Sequence, residues 1–260
     1  TPYQLFGNLY RKFVVNRIVK TAKKIITVSN FEKGTIESYF SNLPSENLVA
    51  VYNGVSKHFQ PIEDQSELAR IREKYQLPER YFLFLGNTDP KKNTANALVG
   101  YAKYCQVEGK DIKLMVGDLD REVIRKHLSD AGLEKYLDQI QNTGYIPNAE
   151  MPALISMAEI FLYPSLRESF GIPLLEAMAC ATPVLSGQKS SLPEVAGEAA
   201  LLVDVTKPEN ISSGLQKLMA SKDLRKDYIR KGLERSKAFS WENTALETLE
   251  LYKALKPTNA

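Results

Sequence analysis

Glu168 and Glu176 stand on either side of the step Phe170-Gly171-Ile172-Pro173. Pro173 suits the first turn of a helix, where its fixed φ is already helical and its missing N–H costs little. A helix is therefore expected to start near Ile172, with Ser169 or Gly171 letting a ligand approach the backbone. The free N–H groups of such a start, together with the positive end of the helix dipole, suit a diphosphate. Glu176, one turn further on, offers two acceptors for a pair of vicinal hydroxyls, and Glu168 sits on the loop just before the helix. Read conservatively, the same acids are a solvated loop carboxylate and a favourable first-turn charge, and both readings stand at this point. A second segment, Gly86-Asn87-Thr88-Asp89-Pro90-Lys91-Lys92-Asn93, has the residues of a strand-to-helix loop. An ammonium group there could neutralise a leaving diphosphate, although lysines in turns are more often surface groups.

These segments lie in a regular alternation. Short apolar runs at residues 81–85, 112–116, 139–143, 160–163, 183–186 and 200–203 read as strands. Stretches of helical periodicity at 94–105, 122–131, 150–157 and 174–180 lie between most of them. Strands that alternate with helices imply βαβ crossovers and a parallel sheet covered on both faces. The expected fold class is α/β: a Rossmann-like doubly wound parallel sheet, with ligands outside the carboxyl ends of its strands. From Pro208 the pattern is helical to about Leu255.

The first sixty residues differ. Residues 4–20 read as a helix and 24–28 as a strand. Ser29, with Glu32 three positions on, forms a capping box that opens a helix to about Phe40, and 48–52 is a second strand. Two strands cannot bury a sheet of their own. The expected organisation is the end of an N-terminal domain over 1–60, a linker with a helix over 61–80, a ligand-binding domain over 81–238, and a crossover helix and tail over 239–260.

Composition narrows the function classes. With 34 basic against 31 acidic residues and a net charge of +3, the balance is too mild to imply nucleic acid. Cys105 and Cys180 lie in apolar stretches without metal-ligand spacing, and read as reduced core residues of a cytoplasmic protein. No apolar run reaches transmembrane length and no signal peptide opens the chain. Arg11, Lys12, Arg17, Lys20, Lys23 and Lys24 accompany Leu9, Phe13, Val14, Ile18 and Val19. That mixture suits either peripheral contact with the inner face of a membrane or packing on another domain.

Taken together, the segments resemble glycosyltransferase family 4, whose members have the GT-B fold of two facing Rossmann-like domains. The resemblance covers nearly the whole chain. It rests on Ile26-Thr27-Val28-Ser29, Asn53-Gly54-Val55, Phe84-Leu85-Gly86, Lys92-Asn93, Gly144-Tyr145-Ile146, Thr182-Pro183-Val184 and Ser191-Leu192-Pro193-Glu194-Val195. Above all it rests on Pro164-Ser165 through Glu176-Ala177-Met178, with two glutamates separated by seven residues. The resemblance implies a retaining hexosyltransferase, with Glu176 on the ribose hydroxyls and Glu168 on the donor sugar. It implies backbone groups of Phe170, Gly171 and Ile172 on the diphosphate and sugar, and Leu175 near the ribose. It also implies Lys92 on the leaving diphosphate, Gly86 and Asn87 beside it, and Gly144, Tyr145 and Ile146 lining the base pocket.

The same resemblance implies no metal and no cofactor, the nucleotide-sugar being a substrate. GDP-mannose is the first donor suggested, because the Pro90-Lys91-Lys92-Asn93 loop resembles that of mannosyltransferases. The acceptor implied is a glycan or lipid-linked intermediate of a cell-surface polysaccharide or lipopolysaccharide. Asn87 departs from an arginine that many relatives carry. Catalytic histidines in the family belong to the first domain; His58 and His127 read as surface groups. The acceptor-side residues are expected on a domain mostly outside this chain, and the expected protein partners are a separate N-terminal half or further copies of the chain in a homo-oligomer. The alternatives are a non-catalytic nucleotide-sugar-binding module, a subunit of a split transferase, and a GT-B-type epimerase. A glycoside hydrolase also needs two carboxylates, but not Lys92 or a phosphate site.

Overall fold

A computed structural model describes residues 14–255, and the elements counted below are those of the described residues. In chain order they begin with α1 (Asn16–Thr21), β1 (Ile25–Thr27), α2 (Asn30–Tyr39) and β2 (Leu48–Ala50). There follow α3 (Gln65–Lys74), β3 (Tyr81–Phe84), α4 (Thr94–Glu108), β4 (Lys113–Val116) and α5 (Arg121–Asp130). Next come β5 (Ile140–Asn142), α6 (Met151–Ser156), β6 (Ile160–Tyr163), α7 (Ile172–Ala179), β7 (Val184–Gly187), α8 (Leu192–Ala196) and β8 (Leu201–Val203). The chain then runs through α9 (Pro208–Ala220), α10 (Lys222–Lys237) and α11 (Trp241–Leu255).

Six strands form one sheet in the order β5-β4-β3-β6-β7-β8, all pairs parallel. This is the doubly wound arrangement the alternation predicts. β3 and β6 are buried at every position, because helices cover both faces. Tyr81 and Leu83 enter one core layer with Leu154, Leu174 and Leu175. Phe82 and Phe84 enter the other with Leu98, Ile124 and Ile211. Successive side chains of a strand face opposite sides, so a single apolar run such as Tyr-Phe-Leu-Phe supplies both layers. Each such side chain contributes about 1.5–3 kcal/mol on burial.

β1 and β2 form a separate two-stranded parallel sheet, Ile25 beside Leu48. This small unit is tied to the end of the chain. Val55 bridges Ser240, Val55 N–H donates to Phe239 O at 3.1 Å, and Thr244 Oγ1 donates to Tyr52 O at 2.6 Å. A Cβ on Gly54 would lie 2.1 Å from Trp241 N, so only glycine lets these segments meet.

The helix expected within 61–80 is α3, whose Leu68 and Ile71, with Tyr75 and Leu77 just beyond its end, pack on the core, Ile71 being fully buried. One expectation is corrected. The capping box at Ser29 is half formed. Ser29 Oγ accepts from Glu32 N at 3.1 Å, while the Glu32 carboxylate is held by Arg167 instead. The described residues begin at 14, so Leu9, Arg11, Lys12 and Phe13 of the expected opening helix lie outside them. No helix among the described residues is long and apolar enough to cross a membrane. Cys105 and Cys180 are buried free thiols, and Trp241, Leu249 and Tyr252 of α11 are exposed.

Candidate functional site

β3 and β6 are neighbours in the sheet, with Phe82 beside Ile160, although three crossovers separate them in sequence. The winding direction reverses between them, which opens a crevice at the carboxyl edge of the sheet. The loop after β3 carries Lys92 to this crevice, and the loop after β6 carries Glu168. Lys92 Nζ lies 2.7 Å from Glu168 Oε1, with both side chains largely shielded from solvent. Lys92 Nζ also stands 5.5 Å from the centre of the Tyr163 ring.

A cleft of about 560 Å³ opens here. Lys92, Tyr163, Glu168, Gly171 and Ile172 line one wall, and Val28, Glu32 and Asn53 of the small unit line the other. α7 begins at Ile172 with Pro173 in its first turn and Gly171 as its N-cap in the left-handed region, φ 104°. A side chain is strained in that conformation, and a Cβ would also lie 2.9 Å from Leu192 Cδ2. No protein acceptor for the Gly171 and Ile172 N–H groups is found among the described residues. That leaves them for an anion at the positive end of the helix.

The two loops are set by buried polar contacts. Asn93, in the left-handed conformation at φ 58°, donates through Nδ2 to Pro164 O at 3.1 Å and Val205 O at 2.8 Å. Leu166 N–H donates to Lys91 O at 2.7 Å. From the loop after β7, Ser191 Oγ donates to Glu168 O and Phe170 O, both at 2.9 Å. Glu168 N–H donates to Ser190 Oγ at 3.0 Å.

The site's titratable groups are pushed apart. Burial raises the pKa of the Glu168 carboxyl. Hydrogen bonds from Lys92 and then Ser165, with the Lys92 charge, outweigh it and hold Glu168 below its ordinary value. Glu176 has no such donor, and burial alone pushes its carboxyl up to about 7. Burial, then the Glu168 charge, raises the Tyr163 phenol far above its usual range.

The remaining sequence-predicted residues are placed unevenly. Glu176 lies one turn into α7, and Phe170 is buried with its backbone in the loop. The Leu175 side chain is fully buried in the core and does not line the cleft. Gly86 lies against the Phe84 ring, with no room for a Cβ. Asn87 is exposed and turns its loop by accepting from Asp89 N–H at 2.9 Å. Gly144, at φ 68°, and the exposed Tyr145 follow β5, while Ile146 is buried in the core; none of the three lines the cleft. Neither His58 nor His127 lines it.

Other contributors went unread in the sequence. Arg167 grips Glu32 of α2 at 2.8 and 3.3 Å. Ser29 Oγ donates to Ser169 O at 2.7 Å. Glu194 accepts from Asn30 N–H at 2.8 Å, Asn30 Nδ2 at 2.9 Å, Phe31 N–H at 3.0 Å and the Tyr52 hydroxyl at 2.6 Å. The sequence signals were the capping pattern around Ser29, which marks the helix end that Glu194 meets, and the Ser191–Val195 segment, which contains Glu194 without indicating its partners.

Fold and crevice define the class: a doubly wound α/β unit with a helix start facing the crevice at its topological switch point. The profile of the family described as Glycosyl transferases group 1 matches residues 66–235, and the chain belongs to that family. It is 31% identical over 250 residues to the O-antigen chain mannosyltransferase B of Escherichia coli, covering 95% of this chain and 64% of that protein. It is 26% identical over 243 residues to the serotype-specific mannosyltransferase WbdA of Escherichia coli, covering 91% of this chain and 29% of that one. The chain thus spans less than two thirds of the length of either relative. Among solved structures, a glycosyltransferase from Rickettsia africae ESF-5 superposes with a TM-score of 0.81 at 19% identity. That match covers 97% of this chain and 68% of that one, and it shows a shared fold, that of a Rossmann-like half of the GT-B arrangement.

Proposed function

We propose that this chain binds a nucleotide-diphosphate hexose in the cleft and serves its transfer, with retention, to a glycan or lipid-linked acceptor. The observation that carries the reading is the Lys92–Glu168 pair, delivered by two loops to the start of α7. Lys92 and the N–H groups of Gly171 and Ile172 hold the diphosphate and stabilise its charge as the sugar departs. Glu168 accepts from hydroxyls of the hexose, and Glu176 from those of the ribose. Gly144 and the exposed Tyr145, outside the cleft at the carboxyl end of β5, flank the base, while the buried Ile146 does not reach it. The leaving phosphate oxygen accepts the acceptor's proton as the new glycosidic bond forms on the same face. A lysine and a helix end do here what a divalent cation does elsewhere. GDP-mannose is the first donor to test, supported by the mannosyltransferase names of both Escherichia coli relatives.

The test is calorimetric titration with GDP, UDP, ADP and dTDP, without metal, alongside Glu176→Ala. Binding of one nucleotide that the variant loses supports the donor site and names its base. A folded protein that binds none at millimolar concentration overturns the reading.

A further inference from the structure

Buried side-chain polar groups almost always find a partner, because leaving one unmet costs free energy. Two such atoms lack one among the described residues: Gln139 Oε1 and the Tyr163 hydroxyl. Only Tyr163 lines the cleft. Its residue is 2% exposed, and its ring is fixed from below by Phe161, 6.0 Å away between centres. Lys92 Nζ stands over the ring, and Glu168, close enough to act on the phenol's ionisation, is paired with that same Lys92. The groups facing Glu168 are therefore Lys92, Ser165 and Tyr163, and those facing the phenol are Glu168, Ser165 and Glu176.

This arrangement poses a problem for the reading above, on which the inference rests. One ammonium group has two anions to serve. When Lys92 turns to a diphosphate, Glu168 loses its cation while still largely shielded from water, and an unpaired buried carboxylate is costly. A donor that is close, buried and otherwise unengaged is what such a carboxylate needs. We propose that Tyr163 is a positioning residue: its hydroxyl donates to Glu168 when Lys92 engages the diphosphate, keeping that carboxylate charged and aimed at the sugar hydroxyls. The orphan hydroxyl is then a reserve donor, and its burial is a stability cost retained for binding.

Tyr163→Phe tests this, because phenylalanine keeps the ring and removes only the oxygen. Four ligands are titrated into the intact protein and the variant: GDP with GDP-mannose, and UDP with UDP-glucose. The preference for the nucleotide-sugar over its nucleotide should fall about 10-fold, the worth of a hydrogen bond to a charged acceptor, while affinity for the nucleotide alone stays within about 2-fold. The acid limb of nucleotide-sugar affinity should move to higher pH, since Glu168 without its reserve donor takes up a proton more readily. In a Glu168→Gln background the substitution should have no further effect. The melting temperature without ligand should be unchanged or higher, which a merely structural hydroxyl would not give. An unchanged preference and acid limb in the variant overturns the inference, even where both nucleotides bind well. Failure of every nucleotide to bind the unsubstituted protein overturns the nucleotide-sugar reading itself, and this inference with it.

Discussion

Replacing Glu176 with glutamine separates what this residue does for the fold from what it does for a ligand. Its carboxyl titrates at 4.5 when unperturbed and at about 7 in the folded chain, through burial alone. Between these values the folded state holds a proton that the unfolded state has released. Stability therefore declines as pH rises from about 4.5 to about 7. At about 1.4 kcal/mol per unit the whole interval is worth about 3 kcal/mol; water reaching this partly exposed group lowers it to about 2 kcal/mol. Glutamine has the same shape and no charge to desolvate. Urea unfolding should find Glu176→Gln and the unsubstituted protein equally stable at pH 4.5, and the variant about 2 kcal/mol more stable at pH 8. Nucleotide affinity should move the other way. Ribose hydroxyls that donate to the carboxylate favour its charged form, so affinity rises with pH through 7 in the unsubstituted protein. In the variant it is flat and about 10-fold weaker. A stability difference that is the same at pH 4.5 and pH 8 would refute the assignment of a buried, unpartnered carboxyl.

Two further substitutions probe the scaffold of the cleft. Gly171→Ala places a side chain at φ 104° and 2.9 Å from Leu192 Cδ2; it should cost about 2 kcal/mol in urea unfolding and weaken nucleotide binding by disturbing the start of α7. Glu194→Ala leaves Asn30, Phe31 and Tyr52 without their shared acceptor and should cost about 2–3 kcal/mol, with Glu194→Gln intermediate. Hydrogen bonds from Tyr52, Asn30 and Phe31 outweigh burial and hold Glu194 below its ordinary pKa. Its contribution is thus present above pH 4.5 and lost as pH falls through the folded value; the unfolding midpoints of the two proteins should converge at acid pH.

Much of the fold was legible because the parallel sheet is written in local patterns. Each apolar run between helical stretches became a strand, and the Gly171-Ile172-Pro173 step started a helix where its chemistry says one should start. The segment 61–80 reads as a linker with a helix; Asp64, Glu67, Arg70 and Lys74 give it a polar cast, so the packing of its short apolar stripe of Leu68, Ile71 and Tyr75 on the core is not legible. At the site, Lys92 and Glu168 were legible as residues of the crevice at the carboxyl edge of the sheet. Their direct pairing was not, because it depends on a sheet order that brings residues 76 positions apart together.

Contacts between the small unit and the large one span still longer separations: 140 positions from Ser29 to Ser169, 135 from Glu32 to Arg167, and 164 from Asn30 to Glu194. No local pattern encodes these pairs. They nevertheless bear on the chemistry, because three consecutive residues after β6 face two ways. Glu168 turns inward to Lys92, while the Arg167 side chain and the Ser169 carbonyl are held by the start of α2. Ser190 and Ser191 fix the same backbone from behind. A displacement of α2 therefore loads the segment that aims Glu168, and the resistance comes from hydrogen bonds on both sides of it. The precision of this carboxylate is thus a property of the interface between the two units as much as of the loop on which it stands.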